Sequence, residues 1–344
     1  MTDAHPRRVV RAVVVGDLSG ARAQLVKGLR GEGDIVVELT TSEHALDVII
    51  RTRPDIVIVD LPPDLDQRMR VIEAIMAHAP TPILTLSPIG SPDAASATRV
   101  LVAGAVAELP RPDRWTAAGG AELRRSVRQI STVHVIRRPR VRSAHHPSPG
   151  PPVPGGGRPV VAVGASTGGP SALATLFSGL AGLGAPVLVV QHLHADFTEG
   201  LVKWMSRVSA LPVEMARNGE LARPGRIYVA PGGLHLRYGS TGRLELAETP
   251  VTVHQPSADE LFGSVAEHAG SSGIGVLLTG MGEDGARGLL AIHERGGRTL
   301  AQDEASSAVF GMPKAAERLG AVTRFVALDD LAASIQRAVR EVKA

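Results

Sequence analysis

The sequence predicts an α/β protein built from two doubly wound sheets, and three observations carry that prediction. Short runs of Val, Ile, Leu and Ala, each stopped by Gly, Asp or Pro, alternate with segments of helical spacing. The alternation occurs twice, and a stretch without periodicity separates the two series. Reactive side chains directly follow several of the apolar runs, where open parallel sheets place their chemistry. A length of 344 residues accommodates two domains of ordinary size.

In the first series, residues 8–15 read as a buried strand that stops at Gly16-Asp17. Residues 21–29 have helical spacing, broken by Gly31-Glu-Gly33. Residues 35–39 form a second strand, and Ser42 is expected to cap a helix reaching about residue 52. Residues 54–60 form a third strand ending in Asp60, and residues 68–78 a helix. Residues 82–87 form a fourth strand ending in Ser87, and residues 94–103 a helix. Residues 106–109 form a short fifth strand, stopped by Pro110-Arg111-Pro112, and residues 115–130 the last helix. Asp17, Asp60 and Ser87 all fall at strand ends. Singly, each also reads as a cap or a turn residue.

Residues 131–158 read as an Arg-, Pro- and Gly-rich linker, with His145 and His146 part of it. Between Glu122 and Asp196 there is no acidic residue, while eight arginines fall in that gap, Arg137, Arg138, Arg140 and Arg142 among them. Prolines interrupt this basic run and no aromatic platform accompanies it, so it reads as a solvated linker favouring acidic partners and not as a nucleic-acid site. The absence of cysteine excludes disulfides, a thiol nucleophile and cysteine-ligated metals. No apolar run approaches the roughly 20 residues that cross a bilayer, and the N-terminus does not read as a signal peptide. A soluble cytoplasmic protein without membrane insertion is expected.

The second series opens with Val160-Val-Ala-Val-Gly-Ala-Ser166-Thr-Gly-Gly-Pro170, a strand, a tight turn and a helix start. Gly164-Ala-Ser166-Thr-Gly168 fits G-x-S-x-G, in which glycines let the chain turn sharply enough to lift a serine hydroxyl above a sheet. A phosphate-cradling loop or a helix-capping serine fits this stretch alone equally well. Residues 185–192 form a strand ending in His192, and residues 199–207 a helix. Residues 226–230 form a strand, and residues 234–238 and 244–246 a hairpin. Residues 259–269 are helical. Residues 273–279 form a strand leading to Gly280-Met281-Gly-Glu-Asp284-Gly. A helix over residues 288–294, a strand over 298–301 and a C-terminal helix over 330–342, with Asp329 as its cap, complete the series.

Ser166, His192 and Asp284 thus follow three strands whose C-terminal ends share one sheet edge. A serine hydroxyl is a weak nucleophile at neutral pH. An imidazole can take its proton, and a carboxylate can fix the imidazole tautomer. Glycines around Ser166 and Asp284 free backbone N–H groups for an oxyanion. Their order, Ser…His…Asp, differs from that of ordinary α/β-hydrolases.

Residues 8–130 resemble a response-regulator receiver domain. The resemblance implies Asp60 as phospho-acceptor, Asp17 with Asp60 holding magnesium, and Ser87 as the switch hydroxyl. It also implies a sensor histidine kinase as partner. Gly16 stands where the family has a second acidic residue, Arg111 before Pro112 replaces a lysine, and the loop after Asp60 lacks the family's glycine. These departures leave phosphorylation open and imply a weak Mg2+ site.

Residues 159–344 resemble the CheB-type methylesterase domain. Six ordered motifs carry the resemblance: Val163-Gly-Ala-Ser-Thr-Gly-Gly169, Gln191-His192, Val229-Ala-Pro-Gly-Gly-Leu-His235, Pro256-Ser-Ala-Asp-Glu-Leu-Phe262, Leu278-Thr-Gly-Met-Gly-Glu-Asp-Gly285 and the stretch from Gln302 to Ala316. The resemblance implies Ser166 as nucleophile, His192 as general base, Asp284 as its orienter and the Met281 backbone as an oxyanion donor. It implies hydrolysis of glutamyl methyl esters on chemoreceptor cytoplasmic domains, with glutamine deamidation in some members, no cofactor for catalysis, and a receiver that restrains the esterase. A non-catalytic adaptor, or an esterase or deamidase for another protein, stays open.

Overall fold

The computed structural model describes residues 9–16, 20–60, 64–88, 99–101, 103–111, 116–132 and 158–343. Asp17, Pro112, Trp115 and the arginines and histidines of residues 133–157 lie outside the described residues. The chain divides into two compact units, Met1–Pro139 and Arg140–Ala344.

Unit 1 runs β1 (Val10–Gly16), α1 (Gly20–Arg30), β2 (Ile35–Thr40), α2 (Ala45–Thr52), β3 (Ile56–Asp60), α3 (Leu65–His78), β4 (Ile83–Pro88), β5 (Ala107–Arg111) and α4 (Ala117–Ile130). Of the expected helix over residues 94–103, the described part is 99–101 and 103, and it is helical. The five strands are parallel in the order β2-β1-β3-β4-β5, the flavodoxin-like arrangement. Val13, Val14 and Val15 of β1 and Ile56 to Val59 of β3 are buried, which is why they read as unbroken apolar runs. The order reverses between β1 and β3, where Gly16 is level with Asp60. A Cβ at Gly16 would lie 2.6 Å from the Asp60 carbonyl oxygen, so only glycine fits this approach. Ser42 does not cap α2, whose N-cap is His44. Its hydroxyl instead accepts from Gln67 Nε2 at 2.9 Å, because the chain takes a turn before the helix begins.

Unit 2 runs β6 (Val160–Ala165), α5 (Gly169–Ser178), β7 (Val187–Gln191), α6 (Ala195–Val208), β8 (Val213–Met215), β9 (Ile227–Val229), β10 (His235–Tyr238) and β11 (Leu244–Ala247). It continues through α7 (Ala258–Ala269), β12 (Gly273–Leu277), α8 (Ala286–Glu294), β13 (Arg298–Gln302), α9 (Met312–Arg318), β14 (Arg324–Val326) and α10 (Leu328–Lys343). Seven parallel strands lie in the order β14-β13-β12-β6-β7-β9-β8, and β10 and β11 form a separate antiparallel hairpin. Strand pleating splits β6 between two cores. Val161, Val163 and Ala165 join Leu173, Phe177, Leu201 and Ile335 from α5, α6 and α10. Val160 and Ala162 join Phe262, Leu289 and Met312 from α7, α8 and α9. Each such fully buried Val, Leu or Phe contributes about 1.5–3 kcal/mol. Asp329 is not the cap of α10 but lies in its first turn, beside Asp330, where both carboxylates face the positive end of the helix dipole. Among the described residues no helix is long and apolar enough to cross a membrane.

Candidate active site

From β6 the chain crosses to β7 on one side and returns to β12 on the other, so the crevice of this sheet opens at the C-terminal ends of β6 and β12. Ser166 is the first residue beyond β6, His192 the first beyond β7, and Asp284 lies seven residues beyond β12. Backbone bonds continue the sheet into the three loops. His192 N donates to Ala165 O at 3.0 Å, Leu278 N to Gly164 O at 2.9 Å and Ser166 N to Thr279 O at 3.1 Å.

The turn after β6 is held from beneath. Ser166 O accepts Gly169 N at 2.8 Å and the buried Gln191 carboxamide Nε2 at 2.8 Å, and the same Nε2 reaches His192 O at 3.0 Å. One amide therefore ties the serine loop to the histidine loop. Gly168 is left-handed with φ 77 and caps α5, so Ser166 is released from the capping role that the sequence left open. A side chain at Gly280 would strike Met312 Sδ and come within 2.8 Å of Ser166 Cβ. That close pass puts the Met281 N–H one residue from the serine. Neither the Met281 N–H nor the Ser166 hydroxyl has a hydrogen-bond partner among the described residues.

His192 and Asp284 are in direct contact: Nε2 lies 2.7 Å from Asp284 Oδ2, with both side chains largely buried. The carboxylate makes Nε2 the protonated nitrogen, and Nδ1 is then the acceptor. Nδ1 is buried and has no partner among the described residues. The His254 ring is stacked on that of His192, with centroids 4.1 Å apart and planes 12° from parallel.

Asp284 also sits on the N-terminus of α7. Its Oδ2 accepts Ala258 N at 2.6 Å, and its Oδ1 accepts Asp259 N at 3.1 Å and the Ser257 hydroxyl at 2.7 Å. Burial pushes this carboxyl up, but the His192 bond and charge, Ser257 and Ala258 together hold it well below the usual carboxylate range. Ser257 is the N-cap of α7, and Ser257-Ala-Asp-Glu260 is the S-x-x-E capping signature, so the helix start was readable while its tie to Asp284 was not. Ser257→Ala removes the cap and one bond to Asp284. It is expected to cost about 1–2 kcal/mol in thermal melting and to lower kcat more than it changes KM.

In unit 1, Asp60 is buried and its Oδ1 pairs with Arg111 Nη1 at 2.9 Å. Ser87 accepts from Arg68 Nη2 at 2.9 Å and donates to Glu108 Oε1, and Arg68 Nη2 pairs with Glu108 at 3.1 Å. All three are buried, and burial pushes the Glu108 carboxyl up against the opposing pull of Ser87 and Arg68. Arg68 and Glu108 were not foreseen as part of this pocket, since 40 residues separate them. A carboxylate already facing a guanidinium does not fit a divalent cation.

A seven-stranded parallel sheet with Ser166 and His192 directly beyond two adjacent strands, and His192 bonded to Asp284, defines the class as a doubly wound α/β fold with polar side chains at its switch point. The chain belongs to the CheB methylesterase family, whose sequence model matches residues 161–335, and it is a hydrolase acting on carboxylic esters. It is 41% identical over 349 residues to a protein-glutamate methylesterase/protein-glutamine glutaminase of Anaeromyxobacter dehalogenans, covering 99% of both chains. It is 40% identical to the protein-glutamate methylesterase FrzG of Myxococcus xanthus, covering 95% of this chain and 98% of that one. Among solved structures it is similar to the CheB methylesterase catalytic domain of Thermotoga maritima, with a TM-score of 0.51 and 33% identity over 54% of this chain and 99% of that one.

Proposed function

We propose that the protein is a protein-glutamate methylesterase that hydrolyses glutamyl methyl esters on the cytoplasmic domains of chemoreceptors, with Ser166, His192 and Asp284 as its triad. The observation that carries this reading is the His192–Asp284 bond at 2.7 Å, which leaves Nδ1 as the acceptor, with no partner among the described residues. Ser166 Oγ attacks the ester carbonyl while its proton passes to His192 Nδ1. The Met281 N–H receives the oxyanion. The resulting imidazolium is stabilised by Asp284 and returns the proton to the departing methoxide, which leaves as methanol. Water then attacks the acyl-serine with His192 again as base, releasing a glutamate carboxylate and restoring Ser166. A glutamine amide follows the same path with ammonia as leaving group. A substrate on the cytoplasmic domains of the receptors makes the protein a cytoplasmic one.

The test is methanol release from a methylated receptor cytoplasmic fragment by the full chain. Binding of the fragment without turnover would replace this reading by that of an adaptor.

Unit 1 is proposed as the regulatory receiver, with Asp60 and Ser87 in its pocket and a histidine kinase as its phosphodonor. Because Arg111 already neutralises Asp60, acetyl phosphate is expected to leave the methanol rate nearly unchanged. A large activation that Asp60→Ala abolishes would overturn this expectation.

A further inference from the structure

The segment between β11 and α7 carries His254 and is fastened at several points by the chain that enters and forms β10. His235 is fully buried and bonds both ends of the segment, with Nε2 donating to Pro250 O at 2.8 Å and Nδ1 accepting Ser257 N at 3.1 Å. Arg237 Nη2 donates to Thr249 O at 2.9 Å, and Gly233 N donates to Gln255 O at 3.1 Å. Within the segment the Thr252 hydroxyl donates to His254 O. The side chains of Val251 and Val253 are turned to solvent, so packing of its own apolar residues does not explain why the segment is fixed. What the fastening does fix is the His254 ring on the face of His192.

We propose that His254 is a positioning residue of the triad: a planar wall that holds the His192 ring in the one orientation that keeps Nε2 on Asp284 and Nδ1 as the acceptor. The proposal rests on the triad reading above. Asp284 bonds His192 through a single nitrogen, and rotation of the ring about that bond is opposed by no other hydrogen bond of the imidazole among the described residues. A parallel ring at 4.1 Å blocks that rotation on one face. The wall also serves the charged intermediate. When His192 takes the serine proton, its positive charge lies over the π face of His254, an attractive arrangement while His254 is neutral. The charged groups that act on His254 are His192 and Asp284. Burial, then the charge of His192, lower the His254 pKa, while Asp284 opposes them, which favours the neutral His254 ring.

The experiment compares the full-length wild type with His254→Ala and His254→Phe, measuring kcat and KM for methanol release and the nitrogen-15 signals of the His192 ring. His254→Ala should lower kcat on the order of tenfold with KM unchanged and should turn the single Nε2-protonated His192 signal into one averaged over tautomers. His254→Phe keeps the flat face and should recover most of the kcat and the single tautomer. Wild-type kcat in both variants would overturn the proposal. So would equal losses in both with an unchanged His192 signal, because the ring would then act by its own chemistry. Should the alanine variant fail to fold, the phenylalanine variant alone decides, by keeping or losing kcat and the tautomer. Failure of the triad reading itself shows separately, as turnover that survives Ser166→Ala, and the nitrogen signals report on ring orientation even then.

Discussion

Ser166→Ala should abolish methanol release, with kcat falling on the order of 10^4 to 10^6-fold, while the melting temperature stays where it was. The two halves of that expectation come from the same observation. The Ser166 hydroxyl has no hydrogen-bond partner among the described residues, so no described hydrogen bond of the fold depends on it. What holds the loop is the Ser166 backbone: its N–H on Thr279 O and its C=O under Gly169 N and Gln191 Nε2. Alanine keeps all three bonds and keeps the Cβ that packs against Gly280. Activity and stability therefore separate cleanly, measured by methanol release and thermal unfolding on the same sample. A loss smaller than about a hundredfold would move the nucleophile elsewhere.

Asp284→Asn is expected to lower kcat about 10^2 to 10^3-fold and also to destabilise the protein, by about 1–3 kcal/mol. The carboxylate accepts four donors, two on each oxygen. An amide must turn its NH2 toward one pair. On the Oδ2 side that group would oppose His192 Nε2–H and Ala258 N–H. On the Oδ1 side the Ser257 hydroxyl can reverse and accept, and Asp259 N–H alone loses its partner. Asparagine should settle the second way, keep the His192 tautomer and lose the charge that stabilises the imidazolium. The pH dependence supplies an independent check. The Asp284 carboxyl is depressed in the folded state, so its contribution to stability is complete above the ordinary carboxyl pKa of about 3.8 and is lost as pH falls through the lower, folded value. The wild-type advantage over the variant in denaturant unfolding should be constant near neutrality and shrink only in strong acid.

The sheets were legible because their inner strands are buried on both faces and so leave long apolar runs, each cut by a residue that cannot continue it. The places of Ser166, His192 and Asp284 beyond strand ends were legible for the same reason: each follows such a run, and a parallel sheet sends those ends to one edge. The edge strands β8 and β14 escaped notice, since three residues are too few to display a period. The partners of the site were hidden by distance along the chain. Ser257 is 27 residues from Asp284, and His254 acts on His192 only through the fastening of its segment by His235. Ser42 and Asp329 failed as caps because local pattern fixes a helix start only to within a residue or two.

The buried Arg68–Glu108 pair sets a rule for descent. Losing either member alone strands a charge in the interior at a cost of about 3–5 kcal/mol, a large part of the 5–15 kcal/mol by which a domain is stable. Replacing both together by apolar side chains of similar volume is close to neutral. The two positions can therefore drift only as one heritable unit. Lineages that carry one without the other should be rare, and Ser87, bound to both, should change in step with them.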